Sequence, residues 1–537
     1  MEHATPTTNR GLLLLGSVAV SLLFLGGISE ISFVDIDIWH EIALFREALA
    51  RGWIPFEDHF AYTPTVAPSV HHEWGTGAVV YLIATHFGAA GVMVFKYLLT
   101  AAIAWACYTC ARRQGAGPEL FVTIAPLALI PTCLGFTTIR AQVFTLLFLA
   151  LLFLFLHEDR CGGRRWLWVW LPLYVLWLNL HAGFVVGVIL LGLHAVEQAL
   201  RRQPIRHLIA AEAAMVLLIL VNPYGWYYGP YLWHALRLDR SMITEWWPLW
   251  WNWQDNIAVV SSYMLAVGLI LYACIAYGLA QWTEYSKSCQ FSPPEPSVTK
   301  DEGSSGPLRK PHPPYMSLVL PGSVLVLACA YAGARHFRHL SIFAIAWLCF
   351  APAYLERTRL GQILQNLWRE QKVALALFFL VVGGIGAVNA WQNRFWELRV
   401  PFRETPKYPV GAVAYLQEQQ FRGNVVTPFE MGAYVSWKLY PSVLVSMDSR
   451  MEVAYQPGIL EEHNQFYQCQ PGWQEFLQKY HSDAILVYRD KPVVELLLKE
   501  SAWPCVYEDD RFMLFAREKL RLPRVDRRGE NLEGTFP

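Results

Sequence analysis

The sequence predicts a polytopic α-helical membrane protein with a small α/β domain at its C-terminal end. Of the 537 residues, 54% are hydrophobic and only 16% are charged, whereas soluble domains carry about 25% charged residues. The mean hydropathy is +0.27. The charge is also uneven, because 35 of the last 138 residues are charged against 51 of the first 399. These observations exclude a soluble enzyme and divide the chain into a lipid-embedded part and a water-exposed part.

Apolar segments fill residues 1–398, which we assign to a multi-span membrane domain. The first, residues 11–34, is long enough to cross a hydrocarbon core of about 30 Å. No clear cleavage site accompanies it, so we expect this span to remain. In all we expect about 11–13 spans. The other predicted segments are 74–88, 91–111, 119–135, 141–157, 166–180, 183–200, 208–222, 257–281, 316–333, 338–355 and 373–391.

Clusters of basic residues orient these segments, because cytoplasmic loops are enriched in Lys and Arg. If 74–88 is an interfacial or re-entrant helix, the clusters all fall on the cytoplasmic side and about 11 spans remain. We therefore expect a multi-pass membrane protein with the 35–75 loop and the C-terminal domain on the outer face. The clusters are Arg112/Arg113, Arg160/Arg164/Arg165, Arg201/Arg202/Arg206, Lys300/Arg309/Lys310 and Arg357/Arg359/Arg369/Lys372.

Composition sets apart three further segments. Residues 283–314 are rich in Pro, Ser, Lys and Glu, which predicts a disordered cytoplasmic linker. Residues 399–520 alternate β-rich and helical stretches and predict an extracytoplasmic α/β domain. Residues 521–537 are expected to form a disordered tail. The predicted strands are 424–427, 443–447, 484–488 and 512–516, and the predicted helices lie near 409–420, 474–481 and 492–499.

Charge and motif content exclude one class of partner and give no support to another. The chain carries 43 basic and 43 acidic side chains, so no net field draws it to nucleic acid. The α/β domain contains neither a G-x-G-x-x-G motif nor a P-loop, and nothing there indicates nucleotide binding. Asp448 and Arg450 of that domain are expected to form a structural pair, with contact to an acceptor as the alternative.

Acids and histidines concentrate in the loop 35–75, which is the predicted functional site. Carboxylates beside a span are costly near lipid. Asp35 and Asp37 are therefore candidate catalytic bases, and partial desolvation would raise their basicity. They could instead, or in addition, cap the amphipathic helix 38–51. Candidates for supporting roles in the same loop are Trp39, His40, Glu41, Asp58, His72 and Glu73.

The same loop raises the hypothesis of a divalent metal. His71, His72 and Glu73, together with Asp35 or Asp37, offer imidazole and carboxylate groups, which are suitable ligands. No H-E-x-x-H or other tight spacing occurs, so no cofactor is firmly predicted. The alternative is a polar seam that orients the helix beginning near Glu73.

Basic side chains at the outer ends of predicted spans run against the usual charge bias. Arg140, His181 and a basic cluster at 335–339 predict binding of an anion such as a lipid phosphate, with snorkelling to headgroups as the alternative. The tryptophan-rich stretch 244–254 predicts interfacial anchoring, with a sugar or polyprenyl platform as the alternative. The basic cluster consists of Arg335, His336, Arg338 and His339.

Three motif pieces follow the first span: Asp35-Ile-Asp37-Ile-Trp39-His40, then Gly52-Trp-Ile-Pro55 with Asp58, Phe60 and Thr63, then His72-Glu73-Trp74. They resemble the patterns D-x-D-x-W-W-H, G-x-x-P-x-x-D-x-F-x-x-T and H-E-W of membrane glycosyltransferases with the GT-C fold. The narrower resemblance is to their bacterial RgtA/B/C/D-like, or protein-mannosyltransferase-like, branch, which implies a location in a bacterial inner (plasma) membrane. It extends over nearly the whole chain, through N-L-H-A-G-F at 179–184, N-P-Y-G at 222–225 and M-D-S-R at 447–450.

The resemblance implies transfer of a sugar from a polyprenyl-phosphate carrier to a hydroxyl of a glycan, lipid or protein at the outer face. Asp37, in preference to Asp35, would be the general base. Arg335, Arg338 or His339 would stabilise the leaving phosphate, and transfer would proceed with inversion. The chain departs from the family pattern where His40 stands for the second Trp and Glu41 for the following His. Which of these side chains assists the acid therefore stays open.

Two other classes of function stay open from the sequence. A polytopic transporter or flippase of lipid-linked sugars would also carry intramembrane charges, although the sequence has no evident inverted repeat and its acids gather in a loop. A non-catalytic envelope assembly protein would expose those acids to solvent without a cavity. A groove open to lipid beside Asp35 and Asp37 favours a lipid-linked donor, whereas a central pathway favours transport.

Overall fold

The computed structural model describes residues 9–30, 32–136, 138–238, 240, 243–251, 253–290, 318–403, 407–451 and 453–537. The predicted linker 283–314 lies outside these residues from 291 onward. Its first part, 283–290, continues a long helix that ends at Gln290.

Helices make up the part of the chain before residue 398. By length and composition, six of those in the described residues can cross a membrane, and they begin at Arg10, Trp74, Gln142, Ile257, Phe337 and Lys372. The helices are α1 (Arg10–Ile28), α2 (Ile36–Arg51), α3 (Trp74–Arg113), α4 (Pro118–Ile124), α5 (Leu129–Phe136), α6 (Gln142–Arg160), α7 (Trp166–Leu180), α8 (Phe184–Leu200), α9 (Arg206–Leu218), α10 (Tyr228–Ala235), α11 (Ile257–Gln290), α12 (Ser323–Arg335), α13 (Leu340–Glu356), α14 (Arg359–Glu370) and α15 (Lys372–Gln392). The predicted class, a polytopic helical membrane protein, is confirmed.

The helices differ in how much apolar surface they leave uncovered. Every residue of α13 from Leu340 to Leu355 is buried, so this helix forms the centre of the bundle. Helix α15 instead exposes large apolar side chains such as Val373, Val381 and Ile385. A continuous exposed apolar surface of this kind is costly in water and suits contact with lipid.

The predicted segments 74–88 and 91–111 form one helix, α3, with a sharp break at Gly88. The backbone there has φ 62° and ψ −163°, a conformation that glycine adopts at little cost because it lacks a Cβ atom. Before the break, Val80 and Ala84 pack in a cluster shared with the C-terminal domain. After it, Ile103 packs in the core of the bundle.

The helix directions define two ends of the bundle. We call the end that carries residues 35–73 the acidic end. Helices α3, α6 and α13 all begin there and finish at the other end, which we call the basic end, with Arg113, Arg160 and Arg357. Helix α6 has 19 residues, which corresponds to a length of about 28 Å, so the two ends lie about one hydrocarbon thickness apart.

The C-terminal part is a mixed sheet covered by short helices. Four of its strands coincide with predicted ones, while β4, β6, α17 and α18 were not predicted. The sheet order is β2-β1-β3-β5-β4-β6, with β1 parallel to β2 and β3, and β5 antiparallel to β3 and β4. The strands are β1 (Gly423–Val426), β2 (Val443–Val445), β3 (Ala484–Tyr488), β4 (Cys505–Glu508), β5 (Phe512–Ala516) and β6 (Val525–Asp526), and the helices are α16 (Val410–Glu418), α17 (Phe429–Leu439), α18 (Ile459–Tyr467), α19 (Glu475–Lys479) and α20 (Val493–Leu497).

Residues 521–537, expected to be a disordered tail, are ordered in the structure. Strand β6 pairs in parallel with β4, and Phe536 is buried against Trp39 at 5.3 Å between ring centroids. Two contacts explain this order: β6 completes an open sheet edge, and the one aromatic ring of a polar segment is buried against the bundle.

The loop between α2 and α3 is attached to the C-terminal domain. Residue Ala61 forms a bridge with Val445 of β2, and the Thr63 hydroxyl donates to the Ser446 carbonyl at 2.5 Å. Just before α2, the Tyr408 hydroxyl donates to the Val34 carbonyl at 2.8 Å. Helix α2 is therefore held on both sides, between the bundle and the domain.

Candidate functional site

Asp35 and Asp37 have different surroundings at the start of α2. Asp35 caps the helix, since its Oδ1 accepts a hydrogen bond from the Asp37 backbone N–H at 3.1 Å. The other Asp35 oxygen lies 2.6 Å from Arg140 Nε. The carboxylate of Asp37 instead lines a cavity and forms no hydrogen bond or ion pair with any described residue. Only Asp37 of the two is available to an incoming molecule.

This cavity at the acidic end, with a volume of about 340 Å³, brings together six of the predicted site residues. Side chains from α2, from the start of α3, from the end of α7 and from the start of α6 meet those of the C-terminal domain. The predicted residues in its lining are Asp37, Glu41, Glu73, Arg140, His181 and Arg338, and the others are Ile36, Ile38, Ala141, Gln142, Ile243, Thr244, Glu245, Trp246, Phe429, Ser449 and Met451.

The two arginines of the cavity carry their charge differently. Arg140 is held between Asp35 and Glu245, whose Oε1 lies 2.7 Å from Arg140 Nη1. Arg338 has no hydrogen-bonded or ion-paired acid in the described part of the chain, and its guanidinium lies 4.7 Å from the centre of the Trp246 ring. Attraction to Asp35 is the largest cause that raises the pKa of Arg140 well above its ordinary value. Arg338 is therefore the cation that remains available to an anion in the cavity.

Glu73 sits between two histidines at the start of α3. The Nε2 atoms of His72 and His181 each lie 3.3 Å from Glu73 Oε1. Burial by itself raises the pKa of Glu73, but its interactions with His72 and His181 outweigh burial and lower that pKa to about 2. Burial lowers the pKa of His181 to about 4, against the attraction of Glu73. At neutral pH, Glu73 is therefore ionised and His181 is neutral.

The pKa of Asp37 lies near neutrality. Burial is the largest cause, the negative charge of Asp35 adds to it, and together they raise the Asp37 pKa from 3.8 to about 7, against the opposing attraction of Arg140 and His40. A carboxyl group with such a pKa can accept and release a proton at neutral pH, which is the property required of a general base.

Trp246 divides the predicted basic cluster 335–339 between two cavities. Arg338 faces the cavity of Asp37. Arg335 and His336 line a second cavity of about 530 Å³, which Trp246 also borders. His339 lines neither cavity in the described residues and packs its ring against Trp246 at 5.7 Å. The buried Trp246 Nε1 and His339 Nδ1 atoms have no hydrogen-bond partner among the described residues.

The remaining predicted residues of the loop lie behind the cavity. Trp39 is fully buried and contacts the Tyr434 ring at 5.0 Å. His40 is hydrogen-bonded to Glu41 at 2.9 Å and lies 3.2 Å from the Ser449 hydroxyl. His72 Nδ1 lies 2.6 Å from the Tyr231 hydroxyl. Asp58 pairs with Arg450 at 2.6 Å, with its side chain fully enclosed.

The proposed metal ligands Asp35, Asp37, His71, His72 and Glu73 do not converge. Within the described ranges, no three His, Cys, Asp or Glu side chains form a group that could hold a metal ion. Asp35 is bound to Arg140, and His71 Nδ1 faces Arg450 at 3.5 Å. This donor set does not fit a divalent metal.

Several lining residues were not predicted. Glu245 is the only acid in the tryptophan-rich stretch 244–254. A single carboxylate among so many aromatic residues is a signal that could have identified it. Ser449 lies within the M-D-S-R motif at 447–450, and Met451 directly follows that motif. Phe429 gives no local signal, because only the packing of the C-terminal domain on the bundle brings it to the cavity.

Comparisons with known proteins agree with this architecture. No protein-family profile matches the sequence, and no curated protein matches it. The structure is similar to the archaeal oligosaccharyltransferase AglB from Archaeoglobus fulgidus, solved in complex with an inhibitory peptide and a dolichol-phosphate, with a TM-score of 0.54 and 11% identity over 88% of this chain and 69% of that chain. The apo form of the Archaeoglobus fulgidus oligosaccharyltransferase matches with a TM-score of 0.51 and 11% identity, over 95% of this chain and 74% of that chain. ArnT from Cupriavidus metallidurans, in the apo state, matches with a TM-score of 0.47 and 13% identity, over 94% of this chain and 98% of that chain. The two oligosaccharyltransferase matches, with TM-scores of 0.54 and 0.51, show that the chain has a GT-C-like fold.

Proposed function

We propose that this chain, on its GT-C-like fold, transfers a sugar from a polyprenyl-phosphate carrier to an acceptor hydroxyl, with Asp37 as the general base. One observation carries the proposal: the carboxylate of Asp37 and the guanidinium of Arg338 line one cavity, and neither has an ion-pair partner among the described residues. A base and a cation left open together suit a reaction in which a hydroxyl loses a proton while a phosphate leaves.

The reaction follows from these two groups. The acceptor oxygen attacks the anomeric carbon of the carrier-linked sugar while its proton passes to Asp37. The bond between that carbon and the phosphate oxygen breaks, and its electron pair stays on the phosphate. Arg338 stabilises the negative charge that develops there. Attack from the side opposite the phosphate inverts the anomeric centre.

The second cavity suits the carrier. It adjoins the first across Trp246, and it combines the cation Arg335 and the imidazole of His336 with the apolar side chains Trp247 and Trp251. Trp251 is largely exposed at this end of the bundle, where aromatic rings favour the membrane interface. We place the carrier phosphate near Trp246 and the first part of the polyprenyl chain along this cavity.

The orientation in the membrane is part of the same proposal. Arginines collect at the basic end, and the bias of Lys and Arg toward the cytoplasm places that end inside the cell. The acidic end and the C-terminal domain then face outward from a bacterial inner membrane. A glycan, lipid or protein acceptor would reach Asp37 from that side.

The test is sugar transfer by purified protein in liposomes with a panel of polyprenyl-phosphate sugars, measured as release of polyprenyl phosphate and as labelled product. Asp37→Asn is expected to lower turnover by about 10²- to 10⁴-fold, the usual contribution of a general base. The matched control is Glu47→Gln, on the same helix, where Glu47 pairs with Arg51 away from the cavity. It is expected to retain full turnover.

Two outcomes would contradict this proposal. Equal turnover by Asp37→Asn and Glu47→Gln would remove Asp37 as the base. Movement of labelled carrier between leaflets without any sugar transfer, abolished by Asp37→Asn, would replace the enzyme with a transporter of lipid-linked sugars.

A further inference from the structure

A third cavity, with a polar lining, lies at the basic end, remote from Asp37. Its volume is about 450 Å³, within the range of ligand-binding pockets. Four arginines line it, and no Asp or Glu lines it within the described residues. The arginines are Arg113, Arg160, Arg201 and Arg357.

Carboxylates outside the lining neutralise two of these arginines. Glu197 Oε1 lies 3.0 Å from Arg201 Nε, and it also accepts from the Gly322 backbone N–H at 2.9 Å. Glu158 approaches Arg113 at 3.6 Å, where both side chains are about half exposed. Arg201 is therefore fixed in the lining of the cavity by Glu197, and Arg113 pairs only weakly with Glu158 at the edge of the cavity.

The other two arginines have no acidic partner in the part of the chain that the structure describes. Arg160 Nη2 lies 3.4 Å from the side-chain oxygen of Gln114, and Arg357 Nη2 donates to the Gln114 backbone carbonyl at 3.3 Å. Both contacts are long and neutral. The Arg160 Nη1 atom is buried and has no hydrogen-bond partner among the described residues.

Such an arrangement is unfavourable unless an anion completes it. A buried guanidinium donor without an acceptor costs free energy, and two cations facing one cavity repel each other. The charge bias of membrane proteins does not account for it, because that bias needs only basic side chains in solvated loops. Here the C-terminal ends of three different helices, α3, α6 and α13, place arginines in the lining of one cavity.

We propose that this cavity binds a phosphate-bearing anion, held by Arg160 and Arg357. The planar guanidinium group offers paired N–H donors that match phosphate oxygens, which a single ammonium does not. An anionic phospholipid headgroup and a soluble phosphate or diphosphate share this chemistry. The inference is independent of the proposed sugar transfer, because the two cavities lie at opposite ends of the bundle.

The experiment measures binding to the purified full-length protein in neutral detergent. One arm adds phosphatidylglycerol to the micelles, with phosphatidylcholine at the same mole fraction as the neutral lipid, and the other adds inorganic phosphate or diphosphate. Ligand that binds the folded protein raises the melting temperature with concentration, which gives an apparent affinity. Stabilisation by phosphatidylglycerol alone identifies a lipid headgroup, and stabilisation by the soluble anions identifies a free phosphate. Either result supports the proposal.

Variants separate the cavity from the charged surface around it. Arg160→Gln and Arg357→Gln are expected to weaken the affinity by about tenfold to a hundredfold, the loss of one hydrogen bond to a charged group. Arg357 is exposed, so its replacement is compatible with folding even if Arg160→Gln is not. The matched control Arg369→Gln removes an exposed charge at the same end outside the cavity and is expected to bind as the wild type does.

Two results would overturn the proposal. One is an absence of stabilisation by any of the phosphate-bearing probes. The other is an equal loss of affinity in Arg357→Gln and Arg369→Gln, since that would reduce the effect to general attraction between a basic face and an anion.

Discussion

Two arginines of this protein, Arg140 and Arg450, each lie between a pair of carboxylates. Arg140 contacts Asp35 at 2.6 Å and Glu245 at 2.7 Å. Arg450 contacts Asp58 at 2.6 Å and Asp448 at 2.5 Å. The distances are nearly the same, but the side chain of Arg140 is 23% exposed and that of Arg450 only 6%.

The difference teaches that a charge triad by itself does not identify a functional site. The Arg450 triad is closed, and it ties the loop 52–73 to the C-terminal domain. The Arg140 triad borders a cavity, where it pairs Asp35 and Glu245 and leaves Asp37 as a nearby acid with no ion-pair partner in the described part of the chain. The functional group is thus the neighbour that the triad does not neutralise.

The largest expected effect comes from opening the closed triad. Arg450→Met leaves Asp58 and Asp448 buried without their cation, and breaking a buried ion pair in this way costs about 3–5 kcal/mol of stability. Thermal unfolding in detergent measures it. Arg528→Gln, which removes a partner of Asp526 on the exposed surface, is expected to leave the melting temperature unchanged. A melting temperature of Arg450→Met equal to that of Arg528→Gln would contradict the structural role of this triad.

The second effect concerns the triad of Arg140, Asp35 and Glu245 beside the cavity, and it is a change in the pH dependence of sugar transfer. Arg140→Gln removes a positive charge that lowers the pKa of Asp37, so the base holds its proton to higher pH. A rise of one unit from a pKa of about 7 lowers the ionised fraction at neutral pH about fivefold, and each further unit lowers it about tenfold. The pH profile of sugar transfer should therefore move to the alkaline side, with partial restoration in Arg140→Lys. A uniform fall in rate with an unchanged profile would reduce Arg140 to a structural role.

The smallest effect is a gain in stability when Asp37 is neutralised. The pKa of Asp37 is about 7 in the folded chain against 3.8 ordinarily, so the folded state binds this proton more tightly than the unfolded state does. Stability is therefore lost as the pH rises from about 4 to about 7 and stays level above that. Asp37→Asn removes the penalty and should exceed the wild type above pH 7 by on the order of 1 kcal/mol, because solvent screens part of the shift.

Melting temperatures at pH 4.5, 6 and 8 check this prediction. The difference in melting temperature between Asp37→Asn and the wild type should grow up to neutral pH and then stay constant. The control Glu47→Gln, on the same helix, should show no such widening. A gap that is independent of pH would place the ionisation of Asp37 outside the neutral range.

The strands of the C-terminal domain show what could be predicted locally and what could not. Strands β1, β2, β3 and β5 were predicted because each is a compact run of β-branched, aliphatic or aromatic residues. Strand β6 has two residues and carries no pattern by itself. It exists because the edge of β4 is open to it, and Phe536 is fixed by the ring of Trp39. Both depend on contacts with distant parts of the chain.

The sequence by itself determined the membrane class and the concentration of acids in the loop after the first span, because hydropathy and charge act along the chain and need no knowledge of contacts. Only the tertiary structure decided which acid and which arginine of the cavity have no ion-pair partner among the residues it describes. Asp35 meets Arg140 across 105 positions, and Arg140 meets Glu245 across another 105. Ion pairing depends on separations of a few ångströms between residues brought together by folding, so this distinction is not written in any local pattern.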